Sequence, residues 1–228
     1  MAQFHFVTDY ENLVLSLLRN YPLDEAMSCA VGGEYETIGA IEAQLLSDVG
    51  LKDGMSLVDL GCGSGRAAFA LGKLLEISYT GIDIVQPLLD YAKSRSPADY
   101  NFVLHRELSI PLPSGSADML CAFSVFTHLL HTETYIYLEE AVRVLRPKGT
   151  IVFSFLEYAV DSHWEQFIGT KNAQLKKTVP HLNMFIDRTA IETWAAHLGL
   201  RVDRYISSDE PIWRGHSLGQ SVVVLRKG

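Results

Sequence analysis

Basic charge is scarce in this chain. Nineteen Lys and Arg face 27 Asp and Glu, giving a formal net charge of −8 at pH 7. Such a surface repels phosphate backbones, and no run of Lys or Arg offsets it, so nucleic acid is not an expected partner. Cysteine is also scarce. Cys29, Cys62 and Cys121 show no CxxC spacing, and an odd number cannot all pair within one chain. That argues against a disulfide scaffold or a cysteine-rich zinc site and fits a reducing cytoplasm. Long apolar runs are missing too. The most apolar stretch, Thr150–Leu156, has the length of a buried strand, far short of the ~20 residues that cross a bilayer. The opening MAQFHFVTDYENL has neither the basic flank nor the apolar run of a signal peptide, so neither secretion nor a membrane partner is expected. Repeats and low-complexity segments are absent. What is left is an ordinary globular composition, 48% hydrophobic and 20% charged over 228 residues, enough for one large domain with a cover.

Residues 1–50 read as a helical cover. Thr8 and Asp9 are placed to cap a helix carrying Leu13, Val14, Leu17 and Leu18, with Pro22 after it. Gly32 and Gly33 precede a second helical pattern of Ile38, Ile41, Leu45, Leu46 and Val49. From residue 55 to 156 the pattern changes to alternating strands and helices. Strands are expected at Ser56–Leu60, Ser78–Asp83, Asn101–His105, Asp118–Phe123 and Thr150–Leu156. Helices are expected at Arg66–Leu75, Val85–Arg95 and Glu133–Leu145. This alternation predicts a parallel sheet with helices on both faces. Residues 157–186 break it and read as an inserted substrate cover. Residues 187–228 return to a helix containing Ile191, Trp194, Ala195 and Leu198. Strands at Arg201–Ser207 and Ser221–Lys227 follow, joined without a helical pattern, so a hairpin is expected.

The chemistry concentrates in VDLGCGSGR, Val58–Arg66. A buried strand delivers a Gly-rich turn and a helix starts at once. Gly61 and Gly63 permit backbone angles that a side chain forbids, and the opening helical turn presents free N–H groups. Dinucleotide-binding proteins use the same strand–turn–helix with the spacing GxGxxG. Here the glycines read GxGxG and Arg66 takes the sixth position. Asp59 would repel a pyrophosphate but suits a ligand with an ammonium group. Asp83 ends the second strand, where an acid can accept from the hydroxyls of a ribose. Its bland alternative is a cap for the helix that follows.

Together these residues resemble class I S-adenosylmethionine-dependent methyltransferases. VDLGCGSGR is similar to that family's first motif and GIDI, Gly81–Ile84, to its second. SIPLPSGSADMLCAFSVFTHL, Ser109–Leu129, and EEAVRVLRPKGTIVFSF, Glu139–Phe155, follow in the family's order. The resemblance implies a Rossmann-like α/β fold with seven strands, the last antiparallel. It implies S-adenosyl-L-methionine as cofactor, S-adenosyl-L-homocysteine as product, and in-line displacement of the methyl group. It implies that Asp59, Gly61, Gly63 and Gly65, with Arg66 after them, form the turn around the methionine part. Asp83 falls on the ribose acid, Ile84 on the apolar residue under the adenine, and Ser124 on the end of the fourth strand. One position departs from the family. Where an acid often accepts from the adenine amino group stands Arg106, which cannot accept. Glu107 or the backbone near Leu108 is expected to take that role.

His128 follows the fourth strand, at the sheet edge where open α/β folds bind ligands. It is the candidate general base, with a capping or packing histidine as the plain alternative. Glu157 sits on the same edge and reads as a solvated acid. His163, Trp164, His181 and Asn183 are candidates to line a substrate pocket. His163 and His181 lack metal-site spacing, so no metal is expected. Tyr135, Tyr137 and Tyr158 read as packing. The expected function is methyl transfer to a small molecule such as a sugar or a natural-product hydroxyl. The alternatives are a non-catalytic cofactor-binding module and a nicotinamide-dependent dehydrogenase. Arg66 and the lack of a Tyr-x-x-x-Lys pair oppose the dehydrogenase.

Overall fold

In the computed structural model, which describes residues 4–179 and 182–228, a central sheet runs in the order β3-β2-β1-β4-β5-β7-β6. Its strands are β1 (Ser56–Leu60), β2 (Ser78–Asp83), β3 (Asn101–Leu104), β4 (Ala117–Ala122), β5 (Leu145–Phe155), β6 (Leu200–Ile206) and β7 (Ser221–Lys227). β1 through β5 pair in parallel, and β7 runs antiparallel between β5 and β6. The expected hairpin is therefore β6–β7. The central strands carry side chains that are buried on both faces, such as Leu57, Val58, Leu120, Cys121, Val152 and Phe153. Strands sandwiched between two helical layers read as continuous apolar runs rather than alternating ones.

Eight α-helices cover the sheet among the described residues. They are α1 (His5–Asn20), α2 (Leu23–Cys29), α3 (Tyr35–Asp48), α4 (Arg66–Leu71), α5 (Gln86–Arg95), α6 (His131–Val144), α7 (Asp161–Leu175) and α8 (Arg188–His197). Two hydrophobic cores form, one on each face. Phe126, Leu138, Phe153, Ile191 and Val223 belong to the first, and Leu46, Leu57, Leu71, Met119 and Val224 to the second. A third cluster joins Val14 and Met27 of the N-terminal helices to Leu88 and Tyr91 of α5.

Several expectations need correcting. The first helix starts at His5, not after Thr8 and Asp9, and its N-cap position is Phe4, without a side-chain cap. Phe6 and Val7 are buried, so docking on the core holds this end where a capping side chain would otherwise be needed. Strand β5 begins at Leu145, pairing with Ala117 before the register shifts at Met119–Thr150. Pro147 and Gly149 thus lie inside a bulged extension of the strand, beyond the end of α6 at Val144. The inserted segment contains α7, whose one fully buried side chain is His163. Trp164 is 47% and Leu175 78% exposed, and Phe167 is only half-buried against Phe185. The pattern that would announce a core-facing helix is therefore missing from the sequence.

Candidate functional site

All parallel strands end at one sheet edge, and β7, being antiparallel, begins there. A cavity of about 330 Å³ opens at this edge, within the range of small-molecule sites. Its floor is the turn after β1. Gly61 N and Cys62 N donate to the Ile82 carbonyl at 2.8 and 3.1 Å, and Gly63 N donates to Asp83 Oδ2 at 2.9 Å. The turn is thereby folded against the end of β2. Gly63 has φ 55°, and a Cβ there would lie 2.6 Å from Val31 Cγ1. At Gly61 a Cβ would lie 2.4 Å from Val125 Cγ2. The glycines are required by the protein's own packing and φ angles, a constraint that acts before any ligand arrives.

Asp83 is 8% exposed on the cavity wall. Besides Gly63, it accepts from Ile84 N at 2.7 Å and Val85 N at 2.9 Å through Oδ1. Burial raises its pKa, and these three amides offset only part of the rise. Three of about four lone-pair positions on the carboxylate are used, leaving Oδ2 able to accept one hydroxyl. The acid thus steadies the start of α5 and keeps an acceptor toward the cavity, so the capping and ligand roles coexist.

Asp59 also lines the cavity. It accepts from Tyr79 Oη at 2.6 Å, and burial raises its pKa to about 7. Arg66, on the same wall, is committed elsewhere: Nε and Nη2 reach Glu42 Oε1 at 2.9 and 2.6 Å, and Nη1 donates to the Val31 carbonyl. Both partners are almost wholly buried. A buried pair of this kind fixes local structure more than it adds stability. Here it holds residues 30–32 over the turn. Gly65, with φ 83°, packs its Cα side against Ala92 and does not line the cavity.

On the β2–β3 side the wall is Ile84, Leu88 and His105. Glu107 is exposed, its carbonyl accepting from Tyr137 Oη at 3.1 Å, and Leu108 packs on the hydrophobic core. Neither side chain lies on the cavity wall; His105 does. Arg106 donates Nε to the Ile84 carbonyl at 2.9 Å and Nη2 to Glu11 Oε1 at 2.5 Å.

The β4 side supplies Ser124 and His128. Ser124 has φ 57°, a strained angle for a non-glycine residue, and its N–H donates to Ser154 Oγ at 2.7 Å. Ser154 Oγ in turn donates to Gln220 Oε1 at 2.7 Å. His128 ends a 3-10 turn, Phe126–His128. Its Nδ1 lies 2.8 Å from the Leu182 carbonyl. A carbonyl only accepts, so Nδ1 carries the hydrogen and Nε2 is the acceptor nitrogen of the neutral ring. The Tyr10 ring meets it edge-on with centroids 5.3 Å apart.

Other expected site residues fall elsewhere. Glu157 is buried, not solvated: Arg188 grips both its oxygens at 2.9 Å and Ser221 donates to it at 2.5 Å. His163 is a core histidine bound to Glu157 N and the Gly219 carbonyl. Trp164 stacks on Phe167, and Asn183 donates to Thr170; neither lines the cavity. His181 lies outside the described residues. Among the described residues no group of His, Cys, Asp or Glu could hold a metal ion, and no helix is long and apolar enough to cross a membrane.

Sequence reasoning missed several parts of the wall, among them the segment of residues 29–32. Phe6, Tyr10 and Leu13 come from α1, and their spacing, three to four residues apart, was a readable helical face. Gln220 was signalled only by topology, since an antiparallel last strand must begin at the ligand edge. Tyr137, read as packing, lines the cavity as well.

A methyltransferase-domain model matches residues 58–153, the stretch that carries this floor and the β4 edge. Over that stretch, less than half of its length, the chain is similar to S-adenosylmethionine-dependent methyltransferases. Among solved structures, the magnesium protoporphyrin IX methyltransferase of Synechocystis PCC 6803, with bound S-adenosylhomocysteine, superposes with a TM-score of 0.67 at 15% identity. That match covers 98% of each chain. The 27-O-demethylrifamycin SV methyltransferase of Amycolatopsis mediterranei is 29% identical over 106 residues, 44% of this chain and 38% of that protein. The ubiquinone biosynthesis O-methyltransferase of Colwellia psychrerythraea is 26% identical over 180 residues, 75% of this chain and 71% of that protein. The match spans about a third of the length of the first curated relatives, from 32% to 38%. The fold is that of class I methyltransferases, and the lining residues fit S-adenosylmethionine in donor chemistry. They present a ribose-type acceptor in Asp83, an acid suited to an ammonium in Asp59 and an apolar platform in Ile84 and Leu88.

Proposed function

We propose that this protein binds S-adenosylmethionine in the sheet-edge cavity and transfers its methyl group to a hydroxyl of a small-molecule acceptor. The observation that carries the reading is the joining of Gly63 to Asp83 at 2.9 Å in a cavity that His128 also lines. In this reading Asp83 Oδ2 holds a ribose hydroxyl and Ile84 lies against the adenine. Asp59 faces the ammonium group, with Gly61, Gly63 and the Arg66–Glu42 pair shaping the turn around it. Bound S-adenosylmethionine supplies a sulfonium-activated methyl group, so the protein's share of the work is placement. Holding two reactants in line is worth up to ~7–11 kcal/mol. His128 Nε2 takes the acceptor's hydroxyl proton, a contribution of about 10²–10⁴-fold. The Leu182 carbonyl helps by fixing the tautomer.

The acceptor is a small molecule with a hydroxyl, of the natural-product or sugar class. The curated relatives include methyltransferases acting on oxygen and on carbon, and it is His128 on the cavity wall, a base for a hydroxyl proton, that favours oxygen here. Titration calorimetry with S-adenosylhomocysteine and with NADH tests the cofactor. We expect one-to-one binding of the first and none of the second; the reverse would make the cavity a dinucleotide site. Release of S-adenosylhomocysteine across a panel of hydroxylated metabolites tests the transfer. Binding without turnover on any member would favour a non-catalytic cofactor-binding module, because fold alone does not fix activity.

A further inference from the structure

Arg106 occupies the place where the family often has an acid, and its contacts reach in two directions. Nε donates to the Ile84 carbonyl at 2.9 Å. The N–H of the same residue, Ile84, is held by Asp83 at 2.7 Å. One branch of the guanidinium thus grips the segment that lines the ribose and adenine side of the cavity. The other branch, Nη2, meets Glu11 Oε1 at 2.5 Å. Glu11 lies on α1 beside Tyr10, and Phe6, Tyr10 and Leu13 of this helix form part of the cavity wall.

A ligand seated between α1 and the Gly-rich turn is held by both walls, and it leaves faster when one of them moves. The turn is tied by backbone N–H groups to Ile82 and Asp83. α1 meets the sheet-edge loops through side chains: Glu11 to Arg106, the Tyr10 ring against His128, and His5 to Glu133 at 3.2 Å. Arg106 and Glu11 are 41% and 33% exposed, so water can replace their contact at small cost. α1 is anchored in the core by Phe6, Val7 and Val14, and the part-exposed Glu11–Arg106 pair is its releasable tie on the cofactor side.

We propose that Arg106 is a positioning residue that latches α1 over the bound cofactor and sets how long cofactor and product stay. This rests on the cofactor assignment made above. Arg106 touches no reacting atom in this account. It joins the cover to the strand end, so closing α1 and ordering Ile84 become one event.

The test is the dissociation rate of radiolabelled S-adenosylhomocysteine, chased with unlabelled ligand. Wild type is compared with Glu11→Gln, Arg106→Met and the double variant. Glu11→Gln keeps the Arg106–Ile84 bond and should release up to about fivefold faster, the upper range for a half-exposed pair. Arg106→Met loses both bonds and should release faster still. The double variant should match Arg106→Met, because the two side chains act as one unit. Raising salt to about 1 M should speed release from wild type but not from Glu11→Gln. A residue that only supports the fold would lower the unfolding midpoint without this salt signature. Wild-type release from Glu11→Gln, or independent effects that add in the double variant, overturns the latch. Failure of wild type to bind S-adenosylhomocysteine overturns the cofactor assignment itself, and the latch with it.

Discussion

The floor and the cover of the cavity are built by different means. The floor, Gly61 to Gly65, is tied down by its own amides to Ile82 and Asp83 and wedged against Val31, Val125 and Ala92. The cover, α1, has buried anchors in Phe6, Val7 and Val14. It meets the cavity's rim, however, through part-exposed charges and ring edges. Backbone ties in a buried turn resist opening, whereas exposed ion pairs yield to water and salt. A site assembled this way keeps one wall preorganised and lets the other exchange ligands. Asp83 belongs to the first class and Arg106 to the second, although both grip the Ile84 peptide unit.

Changes on the floor should therefore cost most. Gly63→Val places a branched side chain at φ 55° and 2.6 Å from Val31 Cγ1. It should abolish S-adenosylhomocysteine binding and lower the unfolding midpoint together, read by calorimetry and circular dichroism. A variant with native stability that still binds would show the turn to be as yielding as the cover. Next in size is His128→Ala. It should cut turnover by about 10²-fold or more while leaving cofactor affinity unchanged. If His128 served only to hold the Leu182 carbonyl, the variant would lose ~1 kcal/mol of stability and keep near-normal turnover.

A smaller and graded effect is expected at Asp59, whose burial sets its pKa at about 7. Below that value the free protein holds it protonated, so affinity for an ammonium-bearing ligand should fall by up to tenfold per pH unit as the pH drops from about 7. The effect on stability has the opposite direction. A carboxyl with a higher pKa folded than unfolded binds more protons in the folded state. It therefore favours folding at low pH, and that contribution is lost as the pH rises from about 4 through about 7. Calorimetry at pH 6 and 8 checks the first statement, and unfolding midpoints of the free protein check the second. Asp59→Asn should flatten both. Flat curves in wild type would place the ammonium group away from Asp59.

The same contrast explains what could be read from the sequence. β1, β2 and β7 stand at their expected bounds because short apolar runs ended by Gly, Asp or charge leave few alternatives. The Gly-rich turn and Asp83 were legible for the same reason: their roles are local, set by backbone angles and by position at a strand end. The N-terminal helices were legible as a cover, but their ties to the rim were not, because those contacts join residues far apart in the chain. Nothing near Arg106 announces Glu11, 95 positions away. Glu157 looked solvated because Arg188 and Ser221, its partners, come from later elements. The seven residues of α2 are too few to show a period, and α7 leaves Trp164 and Leu175 exposed. Glu107 points away from the cavity while His105, two residues earlier, lines it, an orientation that the sequence does not encode.

The central claim is that the turn after β1 and Asp83 together form a cofactor site of the methyltransferase kind. Titration calorimetry of S-adenosylhomocysteine into wild type and Asp83→Ala tests it most directly. Losing one hydrogen bond to a charged group is worth roughly 1.5–3 kcal/mol, so affinity should fall about ten- to hundredfold with stoichiometry and fold unchanged. Equal affinity in the two proteins would contradict the account and place the ribose elsewhere.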